Sequence, residues 1–470
     1  MNRKASIDSV CAGTGLVEAK KSSWHRQRLA ACLCMLLLGL SCELARQGKP
    51  PPSSVERPDR ITIFLTGNEL GALQPCGCSG GQLGGLDRRA AIFSAVPKHS
   101  RLIVDTGSLV AGDGEQDLIK LNTIIRAFDL LGYDLVNLTA KDVERLSNLG
   151  LLNSIGSIFN VIAAEQPVDT NIARQFSRHL SLNAERVAVT VAAFDAESNP
   201  VGQIKELFPP PTDVRTVDIL ILTQSDAGII ESITQTAPSV DCVVCPADSD
   251  EPLVTAQPSE KGPLVFSVGR YGRYVCRLQI TEAAQGRDRL QVAFQDIPVK
   301  EELPQELNLV RLYKDYQQLV KEQDLLAKYP RFSLPNGVTY VGSESCKPCH
   351  LQEYEQWNTT GHAQAYATLE EVGSQFDPEC VICHVVGMEY KSGFISQEQT
   401  AHLKNVGCEN CHGPGSEHVK TPGKIKTSGP KSTCLDCHTP EKSTHYAGNE
   451  QLYLEKIIHW REPNAPANVE

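Results

Sequence analysis

The chain of 470 residues has no excess of positive charge, because 45 Lys and Arg stand against 56 Asp and Glu for a formal net charge of −11. That balance offers no basic field for nucleic acid, which drops out as an expected partner. Long apolar runs are also lacking. The stretch from Leu29 to Leu40 falls well short of the ~20 residues a spanning helix needs, so a permanent transmembrane segment is disfavoured. Residues 335–470 are rich in Gly, Lys, Glu and Thr and contain few runs able to build an apolar core. A fold there must take its core from something besides side chains.

Cysteine, by contrast, is plentiful: 17 residues in three groups. Cys11, Cys32, Cys34 and Cys42 lie in or before the N-terminal apolar stretch, Cys76, Cys78, Cys242, Cys245 and Cys276 are scattered, and the rest crowd between Cys346 and Cys437. Each group needs its own explanation.

At the N-terminus, Lys20, Lys21, Arg26 and Arg28 precede the apolar run, which ends in small residues and a cysteine. This is a signal-peptide pattern over residues 1–42 and predicts export. Leu38-Gly-Leu-Ser-Cys42 resembles a bacterial lipobox, although Gly39 stands where Leu is usual. The two outcomes, a lipid anchor at Cys42 or simple cleavage, both predict a protein at the periplasmic face or outer membrane. Residues 43–59, with three consecutive prolines, read as a tether.

The pattern Cys-x-x-Cys-His occurs at Cys346/Cys349/His350, Cys380/Cys383/His384, Cys408/Cys411/His412 and Cys434/Cys437/His438. Two thiols at this spacing reach the two vinyl groups of one porphyrin, while the adjacent imidazole ligates iron from below. Zinc ribbons share the Cys-x-x-Cys element but need no histidine after every second cysteine. Four covalently bound c-type haems are therefore expected over residues 335–470, and the porphyrins supply the missing core. Acidic side chains outnumber basic ones in this segment, which favours a basic redox partner.

Tyr340-Val-Gly-Ser, Trp357 followed by Gly361-His362-Ala363, Gly387, Val406 to Gly415 with His418, and Ile458-His459-Trp460 resemble the cytochrome c-554 family over residues 338–462. The resemblance implies an electron carrier in a respiratory chain. It also implies distal ligands: His418 for haem 1, His362 for haem 3 and His459 for haem 4, with haem 2 left five-coordinate. His402 and His445 are extra; each is either a distal ligand of haem 2 or, the preferred reading, a solvated surface histidine.

Between residues 60 and 300, short apolar runs (Ile61 to Thr66, Leu102 to Asp105, Leu135 to Leu138, Val217 to Leu222, Val240 to Val244) alternate with amphipathic ones, which argues α/β. Val265 to Val268, Tyr274 to Thr281 and Leu290 to Val299 read as strands closing a sandwich edge. Residues 301–334 read as a connecting helix, spanning Glu302 to Lys328. The expected architecture is an α/β sandwich followed by a mostly α, loop-rich multihaem region.

Ile61 to Thr66, Gly84-Gly-Leu-Asp-Arg-Arg89, Val104 to Gly107, Leu131 to Asp134 and Gly272 to Val275 resemble the metallophosphoesterase domain of periplasmic 5′-nucleotidases. The family's metal ligands fall on Asn68, Leu70, Ser108, Ala140, Lys141, Gln224, Ala247 and Ser249, none of which is an acid or an imidazole. The resemblance thus implies a degenerate domain, without the dinuclear centre that activates water and without phosphatase or nucleotidase activity. Cys76-Gly-Cys78 follows the first strand, where α/β domains keep their chemistry, and Cys245 precedes a second such loop. These sulfurs are redox thiols, a structural disulfide or a metal site such as copper; Cys276 is the expected odd cysteine. Three functions stay open: an electron carrier, an oxidoreductase working through Cys76 and Cys78, and small-molecule chemistry at an open haem 2.

Overall fold

A computed structural model describes residues 58–459, apart from 76–79, 168–169, 171, 209–213, 225, 247, 259–261, 284–289, 422–423, 429–432 and 441. The signal-peptide, lipobox and tether readings lie outside the described residues, as do Cys42, Cys76 and Cys78. Among the described residues no helix is long and apolar enough to cross a membrane.

The first part is a sheet-rich α/β region and the second is mostly helical, as the sequence predicts. Among the described residues twelve strands form two sheets: β1 (Ile61–Thr66), β2 (Arg101–Asp105), β3 (Leu135–Leu138), β4 (Asn160–Ala163), β5 (Gln175–Leu182), β6 (Glu185–Phe194), β7 (Arg215–Leu222), β8 (Cys242–Cys245), β9 (Val254–Ala256), β10 (Leu264–Ser267), β11 (Tyr274–Glu282) and β12 (Leu290–Pro298). The first sheet runs β12-β11-β1-β2-β3-β4 and the second β5-β6-β7-β8-β10-β9. Strands β1 to β4 are parallel, while β11 and β12 add antiparallel at one edge.

Period-2 alternation divides the side chains between layers. Ile61, Ile63 and Leu65 of β1 enter a core between the sheets with Val187, Val189 and Val191 of β6. Phe64 points the other way, into a core with Phe93, Ile124 and Phe128 from the helices Leu86–Ser94 and Glu115–Leu131. A third cluster joins Phe194, Leu220 and Val243 to Ile233 of the Ala227–Thr236 helix. The two sheets therefore form the inner layers of a four-layer sandwich. Cys242 and Cys276 are both buried in the inter-sheet core.

The connecting segment is shorter and more broken than one helix over Glu302 to Lys328. Helix starts at Leu307, where the Glu306 side chain caps it by accepting from Leu309 N–H, and ends at Glu322. Asp324 is left-handed (φ 50°), and a single further turn spans Leu325–Lys328. Leu309, Leu312, Tyr316 and Val320 of the long helix pack into the same core as Phe64. The later region has one small apolar cluster, which includes Tyr366, Val381, Val385, Met388 and Phe394.

Candidate functional site

Each Cys-x-x-Cys-His motif forms a short helical turn, which places two thiols on one face three positions apart. The turns are seen at Pro378–Val381, Cys408–His412 and Cys434–Cys437, and at the first motif Cys346 C=O accepts from both Cys349 and His350 N–H. Pro378 begins its turn at a favoured first-turn position, and Asp377 caps it through Glu379 N–H at 3.0 Å. At the third motif, buried Glu409 accepts from Val341, Gly342 and Gly415 N–H at 2.7–3.1 Å, fastening that turn to the start of the region. Its desolvation, opposed by those donors, leaves the Glu409 carboxyl raised.

Three attachment histidines face a second imidazole. The ring centroids of His350 and His418 are 6.1 Å apart, those of His362 and His438 are 6.2 Å, and those of His412 and His459 are 6.2 Å. Two imidazoles that each bind one metal ion at about 2 Å through a ring nitrogen have centroids roughly 6 Å apart. The pairs therefore have the spacing of two axial ligands on one iron.

Four of the attachment and facing histidines have the other ring nitrogen held in the way that orients a metal-ligating imidazole. His418 Nδ1 donates to Ile425 C=O (2.7 Å) and His459 Nδ1 to Ile457 C=O (2.9 Å). His384 Nδ1 donates to Ala365 C=O (2.5 Å), and His438 Nδ1 lies 3.0 Å from Ser443 Oγ. Each bond leaves Nε2 for iron. Burial pushes His362, His384, His412 and His438 toward the neutral form that ligates metal. His350, His362, His412 and His459, with Cys346, Cys408 and Cys411, line one cavity. On these grounds the residues fit a c-type haem.

The distal assignments need one correction. His418 faces His350 of the first motif, as the resemblance implies, but His362 faces His438 of the fourth motif and His459 faces His412 of the third, the reverse of the expected pairing. The reason lies in the return of the last segment. Gln356 Nε2 donates to Ile458 C=O, which brings the 457–459 stretch beside Trp357 and the third motif. His402 packs over Gly342 and His445 over Gly81, and neither is among these ring pairs.

The motifs also meet each other. Cys346 lies beside Cys408, and Cys383 beside Cys437, which sets the first motif next to the third and the second next to the fourth. Two tyrosines surround His438: Tyr446 stacks at 4.8 Å and Tyr453 meets it edge-on at 5.4 Å.

The 345–413 stretch matches the family described as cytochrome c554 and c-prime. Cytochrome c-554 of Nitrosomonas europaea is 29% identical over 133 residues, which cover 24% of this chain and 57% of that protein. The C-terminal region resembles the cytochrome c554 family. The match spans little more than half the length of that relative. Among solved structures, the chain is similar to the 5′-nucleotidase precursor of Thermus thermophilus (TM-score 0.43, 16% identity, 67% of this chain and 68% of that one). It is similar too to the calcineurin-like phosphoesterase YfkN of Bacillus subtilis (TM-score 0.41, 15% identity, 56% of this chain and 98% of that one).

At the carboxyl ends of β1 and β2, among the described residues, no group of three or more His, Cys, Asp and Glu is arranged to hold a metal ion. A buried ion pair occupies this end instead. Arg89 donates to both Glu69 oxygens (2.6 and 2.5 Å) and to Tyr133 OH (3.1 Å), with Arg89 and Glu69 both at 0% exposure. Burial alone would lower Arg89, but Glu69 holds it charged. Burial, then the Glu69 charge, push Asp105 up; Asp105 accepts from Thr66 Oγ1 and Gly107 N–H. Asn68, Leu70, Ser108 and Tyr271 all have positive φ here, which is costly for a residue as bulky as Leu70 (φ 50°). Asn68 Nδ2 donates to Gly269 C=O and Ser108 N–H to Asp142. Cys245 ends β8 half-buried.

Sequence reasoning missed the contacts that join the two regions. Gln116 and Tyr316 both donate to Asp377 (2.7 and 2.9 Å), and Lys120 Nζ lies 2.5 Å from Glu379, so the second motif is docked on the Glu115–Leu131 and Leu307–Glu322 helices. Beside the fourth motif, Gln82 donates to Lys442 C=O (2.9 Å) and Thr444 Oγ1 to Gly80 C=O (3.4 Å). An acidic pair flanking a motif, Asp377 and Glu379, was the available signal.

Proposed function

We propose that this chain is an exported cytochrome that holds four c-type haems covalently and carries electrons between partner proteins of a respiratory chain. The observation that carries the reading is the set of three imidazole pairs at 6.1–6.2 Å, each joining an attachment histidine to one from a distant segment. Bound haem supplies a one-electron iron couple. The chain's part is to hold one ring of each pair through its Nδ1 hydrogen bond, so that little must move when charge changes. Two imidazoles per iron favour electron transfer over ligand chemistry. The Cys346–Cys408 and Cys383–Cys437 contacts favour haems arranged as neighbours, a path for electrons along the region.

The test is the mass of the matured protein and its behaviour on denaturation. Four haems retained covalently, at all eight motif cysteines, are expected; zinc with no haem would overturn the reading. Partitioning of a Cys42→Ser variant tests the lipid anchor, and loss of membrane association is expected if Cys42 carries it. The acidic composition of the region favours a basic redox partner, which salt should weaken.

A second reading has one observation in its favour. Gly80 and Gln82, next to the Cys76–Cys78 segment, contact Thr444 and Lys442, while Ser443 bonds His438 of the fourth motif. A thiol couple at Cys76 and Cys78 would then pass electrons from a thiol or sulfur substrate to the haems. Cys76→Ser with Cys78→Ser should abolish thiol-driven haem reduction while sparing reduction by an artificial donor; equal rates would leave the pair structural. We infer no phosphoesterase activity, because Glu69 and Asp105 are engaged by Arg89, Thr66 and Gly107 rather than available to metal. Chelator-sensitive hydrolysis of phosphate esters by the purified protein would refute this.

A further inference from the structure

The second motif differs from the other three in what surrounds its first cysteine. Half-buried Cys380 follows Asp377-Pro-Glu379, and both acids are met by side chains of the α/β region and the connecting helix. Lys120 comes from the Glu115–Leu131 helix and is itself only 7% exposed, yet its ammonium lies 2.5 Å from both oxygens of Glu379. Asp377, 7% exposed, is saturated by Gln116, Tyr316 and Glu379 N–H. Gln317 ties the connecting helix to Val372 C=O and Ser374 Oγ.

We infer that the α/β region sets the reduction potential of haem 2, with Lys120 as the tuning residue acting through Glu379. The inference rests on the reading that Cys380 and Cys383 carry a haem. Reduction adds one negative charge at the iron, so a nearby carboxylate favours the ferric state and a nearby ammonium the ferrous state. Lys120 comes within contact distance of Glu379 only because the two regions are packed together, and its own burial keeps it from swinging into water. A short-range charge pair of this kind, one partner held by each region, makes the potential of a single haem depend on how the regions are docked.

The experiment is a spectroelectrochemical titration of the full, haem-loaded chain, parent against Lys120→Met, Glu379→Gln and the double variant, after counting haems by mass. With four haems present, Lys120→Met should move one of the four waves to lower potential. The expected size is a change of roughly threefold to tenfold in the ferric-to-ferrous ratio at the parental midpoint. Glu379→Gln should move the same wave upward, the double variant should return close to the parent, Lys120→Arg should keep the parental value, and the other three waves should stay fixed. Four unmoved waves, a common shift of all four, or singles that fail to cancel in the double variant would overturn the proposal. Glu379 is half-exposed, so Glu379→Gln decides the matter if Lys120→Met does not fold. A mass of three haems with Cys380 and Cys383 as free thiols would instead overturn the reading beneath it, and the proposal with it.

Discussion

The two regions reach a folded state by different means. In the α/β region three apolar clusters receive side chains from both faces of the central strands, so strand, helix and core specify one another. Among the described residues the later region has one small cluster, gathered around Val381 of the second motif and Val385 just after it, while Cys346, Cys408 and Cys434 lie outside it. What fills the remaining space there is histidine, tyrosine and cysteine, arranged in facing pairs. Side-chain packing accounts for the first region; the second is consistent with a haem-binding domain, whose cofactor would supply the rest of its core.

The contrast breaks most visibly if haem is withheld. Produced without a c-type maturation system, the chain should lose ordered structure in residues 335–470 yet keep a protease-resistant α/β fragment. Limited proteolysis with mass spectrometry reads this directly, and a resistant C-terminal region would contradict it. Next in size is Arg89→Met, which strands Glu69 in the interior and should cost about 3–5 kcal/mol in urea unfolding, whereas replacing Arg89 and Glu69 together by apolar residues should cost far less.

Smaller is the effect of pH through Asp218, a buried residue of β7 whose carboxyl is pushed up to about 7 by burial and then by Asp241. The unfolded chain releases this proton first, near pH 4. Between about 4 and 7 the native state therefore binds more protons, and stability falls as pH rises. Asp218→Asn should remove that slope and stabilise the α/β region by on the order of 1–3 kcal/mol at pH 8, with little gain at pH 4. Denaturant midpoints at the two pH values test it, and equal gains at both would sink it. Smallest in stability terms is the rewiring of one haem: His362→Ala and His438→Met should perturb the same one of four haem spectra, whereas His362→Ala and His412→Met should perturb two different ones.

Strands buried on both faces were legible: β1 and β3 begin and end where their apolar runs do. The β5–β6 hairpin was not. β5 alternates between exposed and half-buried positions until Leu180 and Leu182, which are buried, and its two-residue turn, Asn183-Ala184, takes positive φ at both residues (50° and 73°) with alanine where glycine is the usual signal. At the site, attachment residues are local in sequence and could be read from spacing. Distal partners are set by how remote segments return, which is why His362 and His459 were assigned to each other's haems. The Arg89–Glu69 pair was hidden for a similar reason, since an arginine on a helix reads as solvated until the fold encloses it.

The docking of the second motif has a consequence for the order of assembly. β1 cannot complete its sheet until β11 has been synthesised, because Ile61 pairs with Ile280. The connecting helix follows within a few dozen residues and seals the core around Phe64, so a finished platform exists before any attachment motif emerges. The Asp377–Glu379 turn then meets Gln116, Lys120 and Tyr316 already in position. The second motif is thus met by protein synthesised before it, and so is the segment after the fourth, through Gly80 and Gln82, which lets both settle on a platform that is already folded.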